Sequence, residues 1–327
     1  MTVIVWGVPT ESPVSLVLAA LARRGADAVV AHPRRFASQW VELESCGGEV
    51  AGRIRLDDVE LDPADVSGVY VRLVEPQLLP EYARMDDASR SRAQGVFEGL
   101  LRFCEVAGPV FGCRVANPVS AMASNMSKPY QSQLISRAGF DIPTTLLTDD
   151  PEEALAFLAD HPRAIFKSAS GVRSIVREFD LATDRQRLDR IRWCPVQFQE
   201  NVVGRDVRVH VVGQECHAAI VDSEATDYRY ARSQVGEDAR LAPFALPDEL
   251  AERCVALSTQ LGLPFAGVDL KLADDGRVVC FEVNPSPGFP WYEAAGLPIS
   301  DSLARWLDPP EAGRELPIRS RARAGVA

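Results

Sequence analysis

A hairpin signal near the C-terminal end of the sequence constrains the fold more than any other feature. Asp275-Gly276 lies between two runs rich in Val, Leu and Phe, and this dipeptide between alternating strands is typical of a two-residue turn. Counting outward from such a turn predicts three direct cross-strand pairs, which are Asp274 with Arg277, Lys271 with Cys280, and Asp269 with Glu282. The sequence therefore predicts an antiparallel hairpin that sets two acids opposite each other.

The two opposed acids suggest a metal site. Glu282 and Asn284 are two residues apart, so they share a face of the strand, and Asp269 lies on that face too. Directly opposed carboxylates have Cβ atoms about 4.5–5.5 Å apart and repel each other. A hard cation would resolve this repulsion, because Asp, Glu and Asn supply the oxygen ligands that Mg²⁺ prefers. The hairpin alone leaves open the alternative of an edge hairpin with solvated acids.

Composition limits the class of protein. The chain has 327 residues, enough for more than one domain, and 46% hydrophobic with 25% charged residues is ordinary for a globular protein. A formal net charge of −11 argues against a nucleic-acid partner. The seven cysteines are scattered without a CxxC pair, which favours small buried side chains in a reducing compartment. With no apolar span of membrane length and no signal-like start, we expect a cytoplasmic protein without a membrane partner.

The beginning of the chain alternates strands and helices. Thr2 to Trp6 is a short apolar strand, Val14 to Arg23 has helical periodicity, and Ala28 to Val30 forms the next strand. This order predicts an open parallel sheet. No GxGxxG follows the first strand, so the dinucleotide fingerprint is absent. A domain boundary is expected near Pro118.

The second half of the chain contains two further blocks. The first alternates strands and helices up to about residue 198, and the second begins with a hairpin from Asp206. Ser223 to Pro243 is polar and without a clear period, so it is predicted to be a long loop, and such loops are often functional. The Arg-rich stretch from Pro309 is predicted to be a tail.

These segments together resemble the ATP-grasp superfamily, and most closely its RimK-like ligases. The resemblance is carried by Phe265 to Asp269 (FAGVD), Glu282 to Asn284 (EVN), Ser286 to Gly288 (SPG) and Glu293 to Ile299 (EAAGLPI). It implies an α/β plus α+β chain in which a Rossmann-like N-terminal domain precedes a two-part ATP-grasp fold. The implied boundaries are 1–118 for the N-terminal domain, 119–198 for the lid subdomain, 199–308 for the C-terminal subdomain with the metal site, and 309–327 for a flexible tail.

The resemblance also implies ATP and Mg²⁺ as cofactors, with Mn²⁺ as an alternative metal. The implied metal ligands are Asp269, Glu282 and Asn284. The implied nucleotide contacts are Lys128 and Lys167 near the phosphates, Ser170, Gly171 and Arg173 in a phosphate loop, Gln199, Glu200, Asn201 and Val202 at the adenine edge, and Asp206 at the ribose. Many relatives have Glu at the first adenine position, so whether Gln199 or Glu200 contacts the adenine amino group is left open.

Catalytic and substrate roles follow from the same resemblance. Arg208 is expected to stabilise an acyl phosphate, and Lys271 to contact the γ-phosphate unless it is an exposed strand lysine. The implied substrate contacts are Arg72, with Tyr70 beside it, Tyr228, Arg229 and Arg232 of the long loop, and Ser286. Independently of the resemblance, His210 and His217 are expected to be structural because no third metal ligand accompanies them, and Cys280 is expected to pack, with a nucleophile role left open.

The resemblance implies an ATP-dependent carboxylate–amine ligase that acts through an acyl phosphate. Its substrate would be an amino acid or a peptide, including a ribosomal precursor peptide, and a homo-oligomer is expected because such enzymes are commonly dimers or tetramers. Three alternatives stay open at this point. They are a graspetide-type macrocyclase that links side chains within a peptide, an ATP-grasp kinase, and a non-catalytic ATP-binding regulator.

Overall fold

The structure is a computed structural model that describes residues 1–168, 176–223, 232 and 236–310. The strands are β1 (Thr2–Trp6), β2 (Asp27–Ala31), β3 (Gln39–Cys46), β4 (Glu49–Leu56), β5 (Val59–Leu61), β6 (Val66–Val71), β7 (Arg114–Ala116), β8 (Thr145–Thr148), β9 (Ala164–Ser168), β10 (Arg177–Glu178), β11 (Val196–Glu200), β12 (Gly204–Val212), β13 (Glu215–Asp222), β14 (Arg240–Pro243), β15 (Phe265–Ala273) and β16 (Val278–Asn284). The α-helices are α1 (Ser12–Arg23), α2 (Asp87–Phe111), α3 (Val119–Met122), α4 (Lys128–Arg137), α5 (Pro151–Asp160), α6 (Leu181–Leu188), α7 (Asp248–Gln260), α8 (Pro290–Ala294) and α9 (Ile299–Leu307). Within these described ranges, the helices are too short or too polar to cross a lipid bilayer.

The first sheet is parallel, as the opening of the sequence predicts. Its strand order is β2-β1-β6-β7, with parallel pairing throughout. Strand β1 is buried along its whole length because both faces of the sheet are covered. Val3 and Val5 pack in a cluster with residues of α1 and α9, whereas Ile4 and Trp6 pack on the other face with residues of α2. The alternation of side chains along one strand thus holds both layers of helices.

A second sheet in the N-terminal region was missed by the sequence analysis. Strands β3, β4 and β5 form an antiparallel sheet in that order. These strands contain few buried residues, but Ile54 and Leu56 pack into the same cluster as Phe103 of α2. Only these few inward positions carry an apolar signal, which explains why the pattern was weak.

A third sheet has the order β10-β9-β11-β8 and is antiparallel. It lies in the segment expected to form the lid and is called the lid sheet below. Helices α5 and α6 cover it through a compact apolar cluster that includes Ala154, Leu158, Leu188 and Phe198. The sheet therefore has a core of its own, separate from the clusters beneath the other sheets.

The largest described sheet is antiparallel with the order β14-β13-β12-β15-β16. Helices α4 and α7 pack on one face, in the cluster that contains Ile135, Leu257, Val209 and Val268. Strand β14 corrects the sequence analysis, because Arg240 to Pro243 was assigned to a loop. These residues pair with β13, with Leu241 opposite Val221, so sheet pairing decides a segment whose own sequence has no strand pattern.

The hairpin of β15 and β16 has a different turn from the predicted one. Ala273 faces Arg277 across a three-residue turn, so the predicted pairing of Asp274 with Arg277 is wrong. Lys271 pairs with Val279 rather than with Cys280. A β-bulge then adds Phe281 to β16 and restores the predicted pairing of Asp269 with Glu282. Without the bulge, Cys280 and Glu282 would share a face of β16, since they are two residues apart. With it, Cys280 packs in the core while Glu282 faces the cleft between the sheets.

Asn117 connects the parallel sheet to the large antiparallel sheet. Its buried side chain donates to the carbonyl oxygens of Phe265 and Pro285 at 2.6 and 2.5 Å and accepts from the amide of Phe265 at 2.9 Å. These contacts join the segment after β7 to both ends of the hairpin. The domain boundaries at residues 118, 198 and 308 stay predictions.

Candidate active site

A cleft of about 1180 Å³ lies between the lid sheet and the large antiparallel sheet. The lid side contributes Ile165, Lys167 and Gln199. The other side contributes polar residues of three adjacent strands, which are Asp206, Arg208, Asp269, Lys271, Glu282 and Asn284. Residues that the sequence analysis singled out from distant segments therefore line one cavity.

The acidic hairpin forms the floor of this cleft. Asp269 and Glu282 are direct cross-strand partners, as predicted, and the Nδ2 atom of Asn284 donates to Oδ2 of Asp269 at 2.9 Å. The bulge residue Phe281 also lines the cleft. In the part of the chain that the structure describes, no three His, Cys, Asp or Glu side chains are grouped to hold a metal. A cation here would take two carboxylates and an amide oxygen, with its remaining ligands from water and substrate, which fits Mg²⁺ or Mn²⁺.

Arg208 of β12 forms an ion pair with Asp269. Its Nη1 atom lies 2.5 Å from Oδ1, and only 8% of the Arg208 side chain is exposed. The guanidinium lies across Gly267, the residue two positions before Asp269. Gly267 was part of the family motif in the sequence analysis but had no role there. Its lack of a Cβ leaves the space that Arg208 occupies.

Lys128 at the start of α4 forms an ion pair with Glu282. Its Nζ atom lies 2.7 Å from Oε2 of Glu282 and donates to Oδ1 of Asn125 at 2.9 Å. Burial would raise the pKa of the Glu282 carboxyl, but the charges of Lys128, Lys167 and Arg208 outweigh burial and hold this pKa below its ordinary value. Glu282 is therefore ionised at neutral pH and available as a ligand. Asn125 was missed by the sequence analysis because no local pattern marks it.

A third ion pair joins Lys271 of β15 to Asp206 of β12. The two residues are direct cross-strand partners, and Nζ lies 3.2 Å from Oδ1. The side chain of Lys271 is only 17% exposed, so it is not the exposed strand lysine that the sequence left as an alternative. The predicted ribose acid and the predicted γ-phosphate lysine are thus neighbours.

The predicted adenine edge is divided by the structure. Gln199, Asn201 and Val202 line the cleft, and the Gln199 side chain donates to the Thr145 hydroxyl at 2.9 Å. The carboxylate of Glu200 instead pairs with Arg277 at 3.2 Å. Gln199, rather than Glu200, is therefore the side chain that faces the cleft.

Arg72 and Ser286 meet at the N-terminal side of the site. The Nη1 atom of Arg72 donates to the hydroxyl and carbonyl oxygens of Ser286 at 2.8 and 3.2 Å, and Nη2 lies 2.5 Å from Oε1 of Glu11. Glu11 was missed by the sequence analysis. The expectation that Tyr70 reaches the substrate together with Arg72 is wrong. The Tyr70 ring is buried between the first sheet and Phe265.

The long loop is described only in part. Arg232 lines the cleft and lies 3.6 Å from Asp238. Ser170, Gly171, Arg173, Tyr228 and Arg229 lie outside the described residues.

His210, His217 and Cys280 are not among the residues that line the cleft. His210 is buried, its Nε2 atom lies 3.4 Å from the carbonyl oxygen of Gly288, and its ring packs edge-on against Tyr292. His217 contacts the hydroxyl of Ser302 at 2.7 Å. Burial raises the pKa of the Cys280 thiol well above its ordinary value, so this cysteine is a poor nucleophile. All three side chains have packing roles, as expected.

Comparison with known proteins shows which protein family the chain resembles. The model of the RimK-like ATP-grasp domain matches residues 125–307. A probable alpha-L-glutamate ligase of Sodalis glossinidius (strain morsitans) is 33% identical over 201 residues, which cover 57% of this chain and 65% of that protein. The chain thus spans slightly less than two thirds of the length of this relative.

Solved structures are similar over nearly the whole chain. The ATP-grasp ligase PsnB, complexed with a minimal precursor, has a TM-score of 0.71 with 29% identity and covers 93% of this chain and 97% of its own. The macrocyclase MdnC bound with precursor peptide MdnA, from Microcystis aeruginosa MRC, has a TM-score of 0.72 over 94% and 99% of the two chains. At 24% identity this second likeness shows the fold alone.

The family match and the geometry cover the same elements. The matched residues begin just before Lys128 and end at the last residue of α9. They therefore include the β15–β16 hairpin and the three basic side chains of the site, Lys128, Arg208 and Lys271. They amount to more than half of the 327 residues. The fold and the sequence match agree that the chain belongs to the RimK-like ATP-grasp family.

Proposed function

We propose that this protein is an ATP-dependent ligase that activates a peptide carboxylate as an acyl phosphate and joins it to an amine. The observation that carries the proposal is the pair of facing carboxylates, Asp269 and Glu282, surrounded by Lys128, Arg208 and Lys271 at the floor of the cleft. Transfer of a phosphoryl group requires positioning and charge stabilisation, and this arrangement supplies both signs of charge.

Asp269, Glu282 and Asn284 would hold the divalent cation. When bound, such a cation would offset the negative charge that develops on the phosphate oxygens. The donor set supports this role because it consists of oxygen atoms on adjacent strands, with the Asp269 and Asn284 side chains already in contact. Mg²⁺ is the proposed metal, with Mn²⁺ as its replacement.

The nucleotide would lie along the cleft. Lys167 and Lys128 would contact the phosphates, Gln199, Asn201 and Val202 the adenine edge, and Asp206 the ribose hydroxyls. Lys271 would contact the γ-phosphate, since it lies two residues from Asp269 on the same strand and lines the same cleft. Ser170, Gly171 and Arg173 would complete the phosphate site.

The chemistry proceeds in two displacement steps. A carboxylate oxygen of the substrate attacks the γ-phosphorus of ATP, and the bond between that phosphorus and the bridging oxygen of ADP breaks. An amine nitrogen then attacks the acyl carbon, the bond to the phosphate oxygen breaks, and the nitrogen loses a proton to water. Arg208 would stabilise charge on the acyl phosphate, because its buried guanidinium lies at the centre of the floor.

A peptide is the proposed substrate class. Similar proteins include a ribosomal protein bS6–L-glutamate ligase of Shigella flexneri serotype 5b (strain 8401), 25% identical over 210 residues, and the precursor-bound PsnB structure. The likeness to PsnB extends over 93% of this chain, and the precursor in that structure supports a peptide substrate. A second candidate within the same chemistry shares this substrate class: both reacting groups would belong to one peptide, and the product would be a macrocycle.

A hydroxylamine trap tests the proposal. Protein, Mg²⁺-ATP and a pool of amino acids and acidic peptides are incubated with hydroxylamine, and products are identified by mass spectrometry. We expect a hydroxamate together with ADP, lost in Asp269→Asn and retained in Asp275→Asn, which removes an exposed acid from the turn of the same hairpin. Without hydroxylamine, loss of one water from a single peptide would identify the macrocyclase.

Two outcomes would contradict the proposal. A stable phosphorylated hydroxyl compound would identify a kinase. Binding of Mg²⁺-ATP without substrate-dependent release of ADP across precursor peptides would identify a regulator that performs no chemistry.

A further inference from the structure

We propose that Lys128 and Arg208 are internal counter-ions of the metal-binding acids, and that nucleotide and divalent cation bind cooperatively because the phosphates draw these cations away. The inference rests on the proposed function, since it concerns how the same site exchanges its charges.

The first contact behind this inference is that of Lys128. Its ammonium lies 2.7 Å from Oε2 of Glu282, at the N-terminal end of α4 rather than on the hairpin itself. Asn125 accepts a second hydrogen bond from the same Nζ atom at 2.9 Å. Two contacts therefore hold the Lys128 ammonium against an acid of the proposed metal site, one with Glu282 and one with Asn125.

The second contact is that of Arg208. Its guanidinium lies 2.5 Å from Oδ1 of Asp269, while the other oxygen of this carboxylate accepts from Asn284. Both oxygens of Asp269 thus have hydrogen-bond donors. The missing Cβ of Gly267 leaves the space that the guanidinium occupies in this position.

These contacts oppose binding of a divalent cation by itself. A ligating oxygen lies about 2.0–2.1 Å from Mg²⁺, so an ammonium bonded to the same carboxylate would be only a few ångströms from the metal. Like charges at that distance repel strongly when they are partly buried. Lys128 has to leave Glu282, or be drawn aside, before the metal is bound well.

The phosphates of a nucleotide supply the alternative partner. Lys128 and Arg208 together carry two positive charges, and a divalent cation brings the same number to Asp269 and Glu282. The exchange therefore leaves the charge at the two acids unchanged, while the lysine and arginine neutralise phosphate instead. Because binding free energies are linked, a nucleotide that favours the metal must be favoured by it to the same degree.

The matched ion pair of Asp275 and Arg277 provides the controls. It lies on the same hairpin, with a distance of 2.8 Å, but outside the pair of opposed acids. Removing either of its charges changes the net charge by the same amount as removing a charge at Lys128 or Glu282. General electrostatics and direct competition can therefore be separated.

The metal experiment measures binding of Mn²⁺ by titration calorimetry without nucleotide. We expect Lys128→Met to bind Mn²⁺ about tenfold more tightly than the wild type, whereas Arg277→Met changes the affinity by less than about threefold. Lys128→Arg, which keeps the charge, should resemble the wild type. Thermal melts establish that each variant is folded. Equal effects of Lys128→Met and Arg277→Met would overturn the inference, as would no effect of Lys128→Met.

The nucleotide experiment measures binding of ADP in the presence of EDTA. Glu282→Gln releases Lys128 for phosphate, so we expect about tenfold tighter binding of metal-free ADP, and no such gain in Asp275→Asn. An unchanged affinity in Glu282→Gln would overturn the inference. Failure of the proposed function is distinct, because it would appear in the hydroxylamine trap as a missing hydroxamate, whereas these binding affinities would still change as expected.

Discussion

The guanidinium of Arg208 lies so close to the α-carbon of Gly267 that a Cβ at this position would come within 2.2 Å of Nη2. The two residues are on neighbouring strands. Asp269 is the direct cross-strand partner of Arg208, and the guanidinium that pairs with it lies diagonally over Gly267. A glycine is needed here for space and not for backbone conformation, since its φ is not positive.

We expect Gly267→Ala to displace Arg208 from Asp269. Because the displaced guanidinium would no longer stabilise charge on the acyl phosphate, the rate of hydroxamate formation should fall by about tenfold or more, corresponding to at least about 1.4 kcal/mol of transition-state stabilisation. The control is Gly95→Ala in α2, where a Cβ would meet nothing within 4 Å. A Gly267→Ala variant with the wild-type rate would show that the position of Arg208 does not matter for the reaction.

Asn117→Ala should strongly destabilise the protein. The substitution leaves the amide of Phe265 and the carbonyls of Phe265 and Pro285 without their buried partner. Each such loss costs about 1–3 kcal/mol, so we expect the free energy of unfolding to fall by about 3 kcal/mol in urea titrations. Gln77→Ala, which removes an exposed amide bonded only to Glu75 among the described contacts, should change it by less than about 0.5 kcal/mol. A small effect of Asn117→Ala would mean that water replaces its contacts.

Glu11→Gln should strengthen binding of the carboxylate substrate. Glu11 neutralises Arg72, which we propose as a substrate contact, so removal of the acid leaves the guanidinium available to another carboxylate. We expect KM for the acidic substrate to fall severalfold with little change in kcat. Glu81→Gln, which breaks the exposed pair with Arg34, should leave both constants unchanged. A raised KM in Glu11→Gln would instead show that Glu11 orients Arg72.

The buried His210 should make stability depend on pH. Burial, together with the charge of Arg208, holds the pKa of His210 well below its ordinary value of 6.5. Below this ordinary value the unfolded chain binds a proton that the folded chain does not, so stability falls as the pH decreases. Each pH unit costs about 1.4 kcal/mol. We expect unfolding free energies between pH 6.5 and 5 to slope less steeply, by about this amount, in His210→Gln. An identical slope in the variant would indicate that His210 is protonated in the folded protein.

Local pattern was sufficient for much of the fold and for the centre of the site. The strand–helix–strand order at the start of the chain predicted a parallel sheet, and β1 pairs in parallel with both of its neighbours. The alternation around Asp275-Gly276 predicted a hairpin and the pairing of Asp269 with Glu282. That pairing was correct although the turn was longer by one residue, since the bulge at Phe281 shifts the register back. Neither deviation has a strong local signal, because both depend on what packs against the strands.

The partners of the site residues were decided by the tertiary structure. Lys128 meets Glu282 because α4 packs on β16, and Arg72 meets Ser286 although 214 residues separate them. Asn117 and Glu11 acquire their roles in the same way, from segments that are distant in the chain. The sequence by itself determined the first strands of the parallel sheet, the β15–β16 hairpin and which acids face each other, since period and turn chemistry act over a few residues. Which cation lies beside each acid depends on the packing of whole helices and sheets, and it is this packing that builds the charge arrangement of the site.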